Sequence, residues 1–390
     1  MATSRVGDGL GVGDDLVSAA QRAVAQATRP LRGEPPDLAC VFVSGAAPDH
    51  EQEALTRAAE LLGAHTVLGC TAHGVMAGSK AVEGVGSVSV WAAHLPGVTL
   101  RGFHLEVIRT SESIAVIGMP QSRADDIVGV LLADPWSFPS EGFVDGSAER
   151  LHGLPLVGGL ASGSARSGDT RLLLDGRVYD RGAVGVVVGG DVAVHTLVSQ
   201  GCRPIGRALT VTSAEGSTVR EIGGRPALER AREAVSSLPD VEQPLAVRGL
   251  TLGLVMDEYA DEYVAGDFLV RGIAGADQSS GAIDVGDVIP VGSTVQFLLR
   301  DADSAHDDLA QVLAAFRRRV GMAAISGALL FSCNGRGRSM FPSADHDVVA
   351  VQGALGVDGI AGFFAAGEFG PVAGRTRLHG FTATVLAFGS

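Results

Sequence analysis

The chain has 390 residues, 46% of them apolar but only 5% aromatic, with 54 glycines and a formal net charge of −14. That length exceeds one ordinary core and predicts two folded domains of small, closely packed side chains, not a disordered or fibrous chain. Lys80 is the single lysine and the arginines are scattered, so no basic stripe exists for a nucleic-acid groove. No apolar run reaches the roughly 18 residues a membrane-spanning helix needs.

Residues 1–13 read as a glycine-rich leader: without a strand before them, Gly7, Gly9, Gly11 and Gly13 are not a phosphate loop. From Asp15, apolar residues at 16, 19, 20, 23, 24 and 27 recur at helical spacing and predict an amphipathic helix ending before Pro30. Leader and helix make up 1–34, and two domains are expected after them, at 35–238 and 239–390.

A pattern of strand, helix, strand and small-residue turn is expected three times. In the first copy Leu38 to Ser44 is a strand, Asp49 caps a helix through Leu62, and a strand at 66–68 enters the turn Gly69 to Gly74. The second runs from a strand at 127–133 through a helix at 140–151 and a strand at 154–157 to the turn Gly158 to Gly163; strands at 172–174 and 183–188 follow, joined by the hairpin signal Asp175-Gly176. The third has a strand at 328–331, the polar turn Ser332 to Gly337, a helix capped by Asp345 and stopped near Gly356, and the turn Gly362 to Gly367.

Between copies two and three, strands at 192–199 and 208–213 flank Gly201 to Gly206, a helix is expected at 226–237, and a strand-rich meander runs from Leu250 to Leu299. Runs of strands with single helices predict an α+β fold: two mostly antiparallel or mixed sheets with helices on the outer faces, an αββα sandwich with internal pseudo-repeats. Arg317 to Arg319 close an expected helix from Ser304, where cations complement its dipole.

The four cysteines, Cys40, Cys70, Cys202 and Cys333, lie far apart without zinc-site spacing and read as reduced thiols. Neither a secretory signal nor a cofactor, metal or triad motif is present, and a soluble cytoplasmic protein is expected. The acidic residues Asp257, Glu258, Asp261 and Glu262 read as a solvated face.

Strand-end residues carry the expected chemistry. Cys333 and Asn334 border free backbone N–H groups. Arg336, between glycines, is a fork for a ligand carboxylate or half of an ion pair with Glu368, which ends an apolar run. His379 and Thr382 precede the last strand, and Cys70, Gly159, Ser162 and Arg271 complete the set expected around a cavity. A thiol nucleophile at Cys333, with His346 or His379 as base, is the alternative.

Several of these residues carry a resemblance. The turns at 68–71 and 156–159, Phe268 to Gly272, the FSCNGRG run from Phe331, the GFFAAGE run from Gly362 and the LHGFT run from Leu378 together resemble the FIST domain over roughly residues 35–385. The resemblance implies a FIST N-terminal domain at 35–238, a C-terminal one at 239–390, and an intracellular sensory module for a small ligand, with an amino acid as the suggested class. No output domain is expected after the LHGFT run, so a signal is expected to pass through a partner protein or a change in the protein's own assembly; neither nucleic acid nor membrane is expected as a partner. The remaining alternatives are a thiol hydrolase or acyl transferase using Cys333 and a protein-binding scaffold without a ligand.

Overall fold

A computed structural model describes residues 3–45, 47–111, 113–260, 263, 266–321 and 324–389. Asp261 and Glu262 lie outside them. By contacts the chain divides into two compact units, Met1–Val198 with Gln311–Leu378 and Thr382–Ser390, and Ser199–Ala310 with His379–Phe381. This partition differs from the one drawn at 238/239, because residues 199–238 group with the second unit and 311–378 with the first.

The fold is α+β, but four sheets form where two were expected. Three belong to the first unit, and each is built on a parallel pair: Leu38–Ser44 with Thr66–Thr71, Asp126–Ala133 with Leu156–Leu160, and Ile325–Cys333 with Ile360–Ala365. Parallel neighbours need a crossover. The helices Pro48–Leu62, Ser140–Arg150 and His346–Leu355 supply it in turn. On its other side the first strand of each pair takes an antiparallel partner, Ser87–His94, Ala183–Gly190 or Ala383–Gly389.

The hairpin that follows each pair leaves its own sheet. Gly74–Ala77 joins Ile360–Ala365, Leu172–Leu174 joins Thr66–Thr71, and Glu368–Val372 joins Leu156–Leu160. A short hairpin cannot bury a face alone, and this exchange lets the inner faces of the three sheets share one core. Phe42, Trp91, Val130, Val186, Phe331, Phe363 and Phe388 meet there, each about 1.5–3 kcal/mol of burial. The outer faces are covered by helices, as with Leu16–Thr28 and Pro48–Leu62 over the first sheet.

The expected leader is instead the strand Arg5–Val12, an edge of the first sheet. A Cβ on Gly7, Gly9 or Gly11 would come within 2.2, 1.9 or 2.0 Å of the carbonyl oxygens of Ala27, Ala23 and Ala19. The glycines are there so that the strand can lie directly on the alanine stripe of the next helix.

The small-residue turns begin later than expected, because Gly69, Gly158 and Gly362 are strand residues. Each presses on its parallel partner: a Cβ would lie 2.5 Å from the Val41 oxygen, 1.9 Å from that of Leu131 and 1.7 Å from that of Leu330. Asp175-Gly176 does turn a hairpin, but into Arg177–Tyr179; Ala183–Gly190 belongs to another sheet. Of the two expected acidic caps, Asp49 lies inside the first turn because Pro48 opens its helix after Ala47, whereas Asp345 does stand at the N-cap of His346–Leu355, its carboxylate accepting from Ala81 N at 2.7 Å and from Lys80 Nζ at 3.1 Å and not from its own helix.

The second unit is a curled antiparallel sheet. Its order runs Cys202–Glu215, Thr294–Arg300, Leu250–Val255, Phe268–Ala276, Ile283–Val285, Thr218–Ile222, and the first and last of these also pair, closing a barrel. One long strand reaches both neighbours because its register breaks between Ile205 and Leu209, at Gly206 with φ +64°. Ile205, Val211, Leu252, Val295 and Phe297 share a core with Ala227, Ala231 and Ala234 of the helix Ala227–Ser236.

Candidate functional site

The carboxyl ends of the parallel pairs meet at one end of the first unit, the place where open α/β sheets bind ligands. Ser162 N donates to the Thr71 oxygen at 3.3 Å, Ala366 N to that of Leu160 at 3.0 Å and Asn334 N to that of Ala365 at 2.8 Å. Ser162 Oγ accepts from His73 N at 2.8 Å and donates to the Phe364 carbonyl, and Ser44 Oγ donates to the His73 oxygen at 3.0 Å. Gly159 pairs across from Glu368, where a Cβ would be 2.8 Å from the Ala365 Cβ.

At the carboxyl end of Ile325–Cys333 the polar groups close on one another. Arg336 is 0% exposed; its Nε donates to Asp347 Oδ2 at 2.7 Å and its Nη2 to Oδ1 at 2.9 Å. Asp347 also accepts from Ser332 Oγ at 2.6 Å and lies 2.8 Å from His346 Nδ1, whose ring stacks on Phe341. Burial opposes ionisation of Asp347, but the Arg336 charge and these hydrogen bonds outweigh it and hold the carboxyl well below the usual range.

Arg336 therefore forms its two-pronged pair with Asp347, and its charge also acts on Glu368. Two of the three guanidinium nitrogens are thereby engaged.

Glu368 is fully buried beside it. Its Oε2 accepts from Thr382 Oγ1 at 2.7 Å and Thr382 N at 3.2 Å. Burial pushes the carboxyl up to about 8 against those bonds, the Arg336 charge and the Cys333 thiol, so Glu368 is largely neutral near pH 7. Cys333 is buried, its sulfur 3.4 Å from Gly335 N. The structure thus brings together Cys333, Arg336, Glu368, Thr382 and Gly159, with Ser162 at the adjoining turn; Asn334 alone of the set is exposed.

Three further residues were expected around the cavity. Cys70 is a core residue, 0% exposed and opposite Leu172, with burial raising its thiol. His379, buried, and Arg271, whose Nε donates to Asp287 Oδ2 at 2.6 Å, group with the second unit.

Beside the carboxyl end of Leu38–Ser44 lies an open cavity of about 180 Å³, lined by Gly45, Pro48, Glu51, the run Gly163 to Arg166, and Asp169. Among the described residues no side chain caps the first turn of Pro48–Leu62. Glu51, 3% exposed, packs on Gly45 and accepts its N–H. Burial raises the Glu51 carboxyl to about 7, against the Gly45 N–H and the Arg171 charge, with Asp169 adding to the rise. Ser164 shapes the facing loop: its Oγ accepts from Arg166 N at 3.0 Å. Arg166 is exposed and forms no ion pair among the described residues.

The burial of Asp347 and Glu51 has a signal in the sequence. Asp347, Val351 and Leu355, and Glu51, Leu55 and Ala58, follow helical spacing, placing both acids on the buried stripes of their helices.

A mixed α+β protein with buried acids at the strand ends and an accessible polar cavity beside them is the class so defined. Residues 37–225 match the FIST N domain and residues 227–371 the FIST C domain. The chain belongs to the FIST family, whose domains are generally implicated in small-molecule sensing and signal transduction. It is similar to an uncharacterized protein of Mycobacterium tuberculosis H37Rv, 42% identical over 384 residues, 98% of this chain and 99% of the relative. An uncharacterized protein of Mycobacterium bovis is 43% identical over 385 residues, 98% of each chain.

Proposed function

We propose that this is a cytoplasmic sensor that binds an amino acid or a related small zwitterion in the cavity around Glu51, and signals through a partner protein. The observation that carries the reading is opposite charge across one small cavity. Glu51 and Asp169 suit an ammonium group, while Arg166 and the uncapped helix start suit a carboxylate. The buried Arg336–Asp347 and Glu368–Thr382 groups then serve as a rigid base for the neighbouring strand ends, not as ligand contacts.

A thermal-shift screen of amino acids and central metabolites, followed by calorimetry, tests this. A zwitterion should bind the wild type, lose about tenfold or more in affinity in Glu51→Gln, and lose likewise in Arg166→Ala. Binding unchanged in both variants would move the ligand elsewhere, and no binder at all would favour a protein-interaction scaffold. The Gly335 N–H at the Cys333 sulfur favours a second reading, thiol chemistry at Cys333.

A further inference from the structure

A larger cavity of about 420 Å³ lies in the first unit, lined by the helix Ser140–Arg150 with its C-terminal turn and by the segment from Val116 to Ser122. Its walls are of two kinds. Val116, Met119, Pro120, Phe143 and Leu151 form an apolar floor continuous with the core beneath the second sheet, where Phe143 rests on Phe138. Gln121, Ser122, Arg150 and His152 form a polar rim.

The rim is built by the way the helix ends. Leu151 N donates to the Ser147 oxygen at 2.8 Å and Gly153 N to that of Ala148 at 2.9 Å, while His152 takes the left-handed φ of +52°. That turn leaves the His152 ring at the rim, its Nδ1 3.4 Å from Ser122 Oγ. Ser147 spends its hydroxyl on the Val144 carbonyl. Arg150 is exposed, and its guanidinium has no hydrogen bond or ion pair among the described residues.

The lining therefore carries one permanent cation and a histidine, with no carboxylate. An apolar floor with a few convergent polar groups is the usual form of a small-molecule site, and a volume of this order suits a ligand of modest size. Charge complementarity fixes the rest. A zwitterion or a cation would find no acid here, whereas an apolar body ending in one carboxylate would cover the floor and place its charge at Arg150. We propose that this cavity is a second binding site, for an amphipathic monocarboxylate, separate from the one around Glu51.

Calorimetry with octanoate, and with 1-octanol as the uncharged match, tests it. Octanoate should bind the wild type one to one and at least about tenfold more tightly than octanol. Arg150→Glu should remove that preference, and Met119→Asp, which puts a charge on the floor, should weaken both ligands. Both residues are partly or fully exposed, and melting curves check that the variants fold. Glu51→Gln should leave octanoate binding unchanged. Failure of octanoate to bind the wild type, equal binding of octanol with no effect of Arg150→Glu, or loss of octanoate in Glu51→Gln would each overturn the proposal.

Discussion

Arg336 and Asp347 form a two-pronged pair, 2.7 and 2.9 Å long, with side chains 0% and 3% exposed. Such a pair yields little net stability, because its attraction mostly repays desolvation, but removing one partner strands the other charge. Asp347→Asn is expected to cost about 3–5 kcal/mol in urea unfolding. The double variant Arg336→Met, Asp347→Leu is expected to cost less than either single change. A double variant as unstable as the sum of its parts would show two independent roles.

Glu368 sets a pH dependence of stability of the opposite sign to the usual carboxylate. Its folded pKa is raised from 4.5 to about 8, so its contribution is fully present below about pH 4.5 and is lost as pH rises through about 8. Glu51 and Asp8, each raised to about 7 by burial, act in the same direction. Glu368→Gln keeps an acceptor for Thr382 without the ionisation. It should flatten the fall in melting temperature between about pH 5 and pH 8, which a series of melts in matched buffers would read.

The close-packed glycines separate from the merely permissive ones. Gly362→Ala puts a Cβ 1.7 Å from the Leu330 oxygen, backbone that cannot swing aside, and should cost about 1–3 kcal/mol or more. Gly353, inside the helix His346–Leu355, has nothing within 4 Å of an added Cβ, so Gly353→Ala should gain about 0.5–1 kcal/mol. Chemical denaturation of the two variants should move in opposite directions.

Local signals in the sequence translated well and long-range ones did not. The alanine stripe 19, 23 and 27 gave the helix, and Asp175-Gly176, at φ +48° and +80°, gave a hairpin turn. The facing glycines 7, 9 and 11 were read as a leader because their purpose is visible only against that stripe. The four sheets were illegible for a related reason: which sheet a short hairpin joins depends on strands more than a hundred residues away, as when Leu173 pairs with Gly69. At the site, the closeness of Cys333, Glu368 and Thr382 was legible from their strand ends. An ion pair for Arg336 was legible too, but its partner Asp347 becomes visible only once that residue is placed on the buried stripe of its helix.

Cysteine reactivity divides sensing from thiol chemistry. Cys40 and Cys70 lie in the apolar core, where burial pushes the Cys40 thiol up to about 12 and Cys70 well above its ordinary value. Only the thiolate attacks an alkylating agent, so both should react with iodoacetamide at neutral pH no faster than the protein unfolds. Cys333 is also buried, and a structural residue there should be similarly slow. A nucleophile, with the Gly335 N–H steadying its thiolate, should instead label ahead of Cys40, Cys70 and Cys202 in the native protein. Peptide mapping after brief labelling reads this directly: slow labelling at all four positions supports the sensor, while selective labelling at Cys333 would turn attention to acyl transfer.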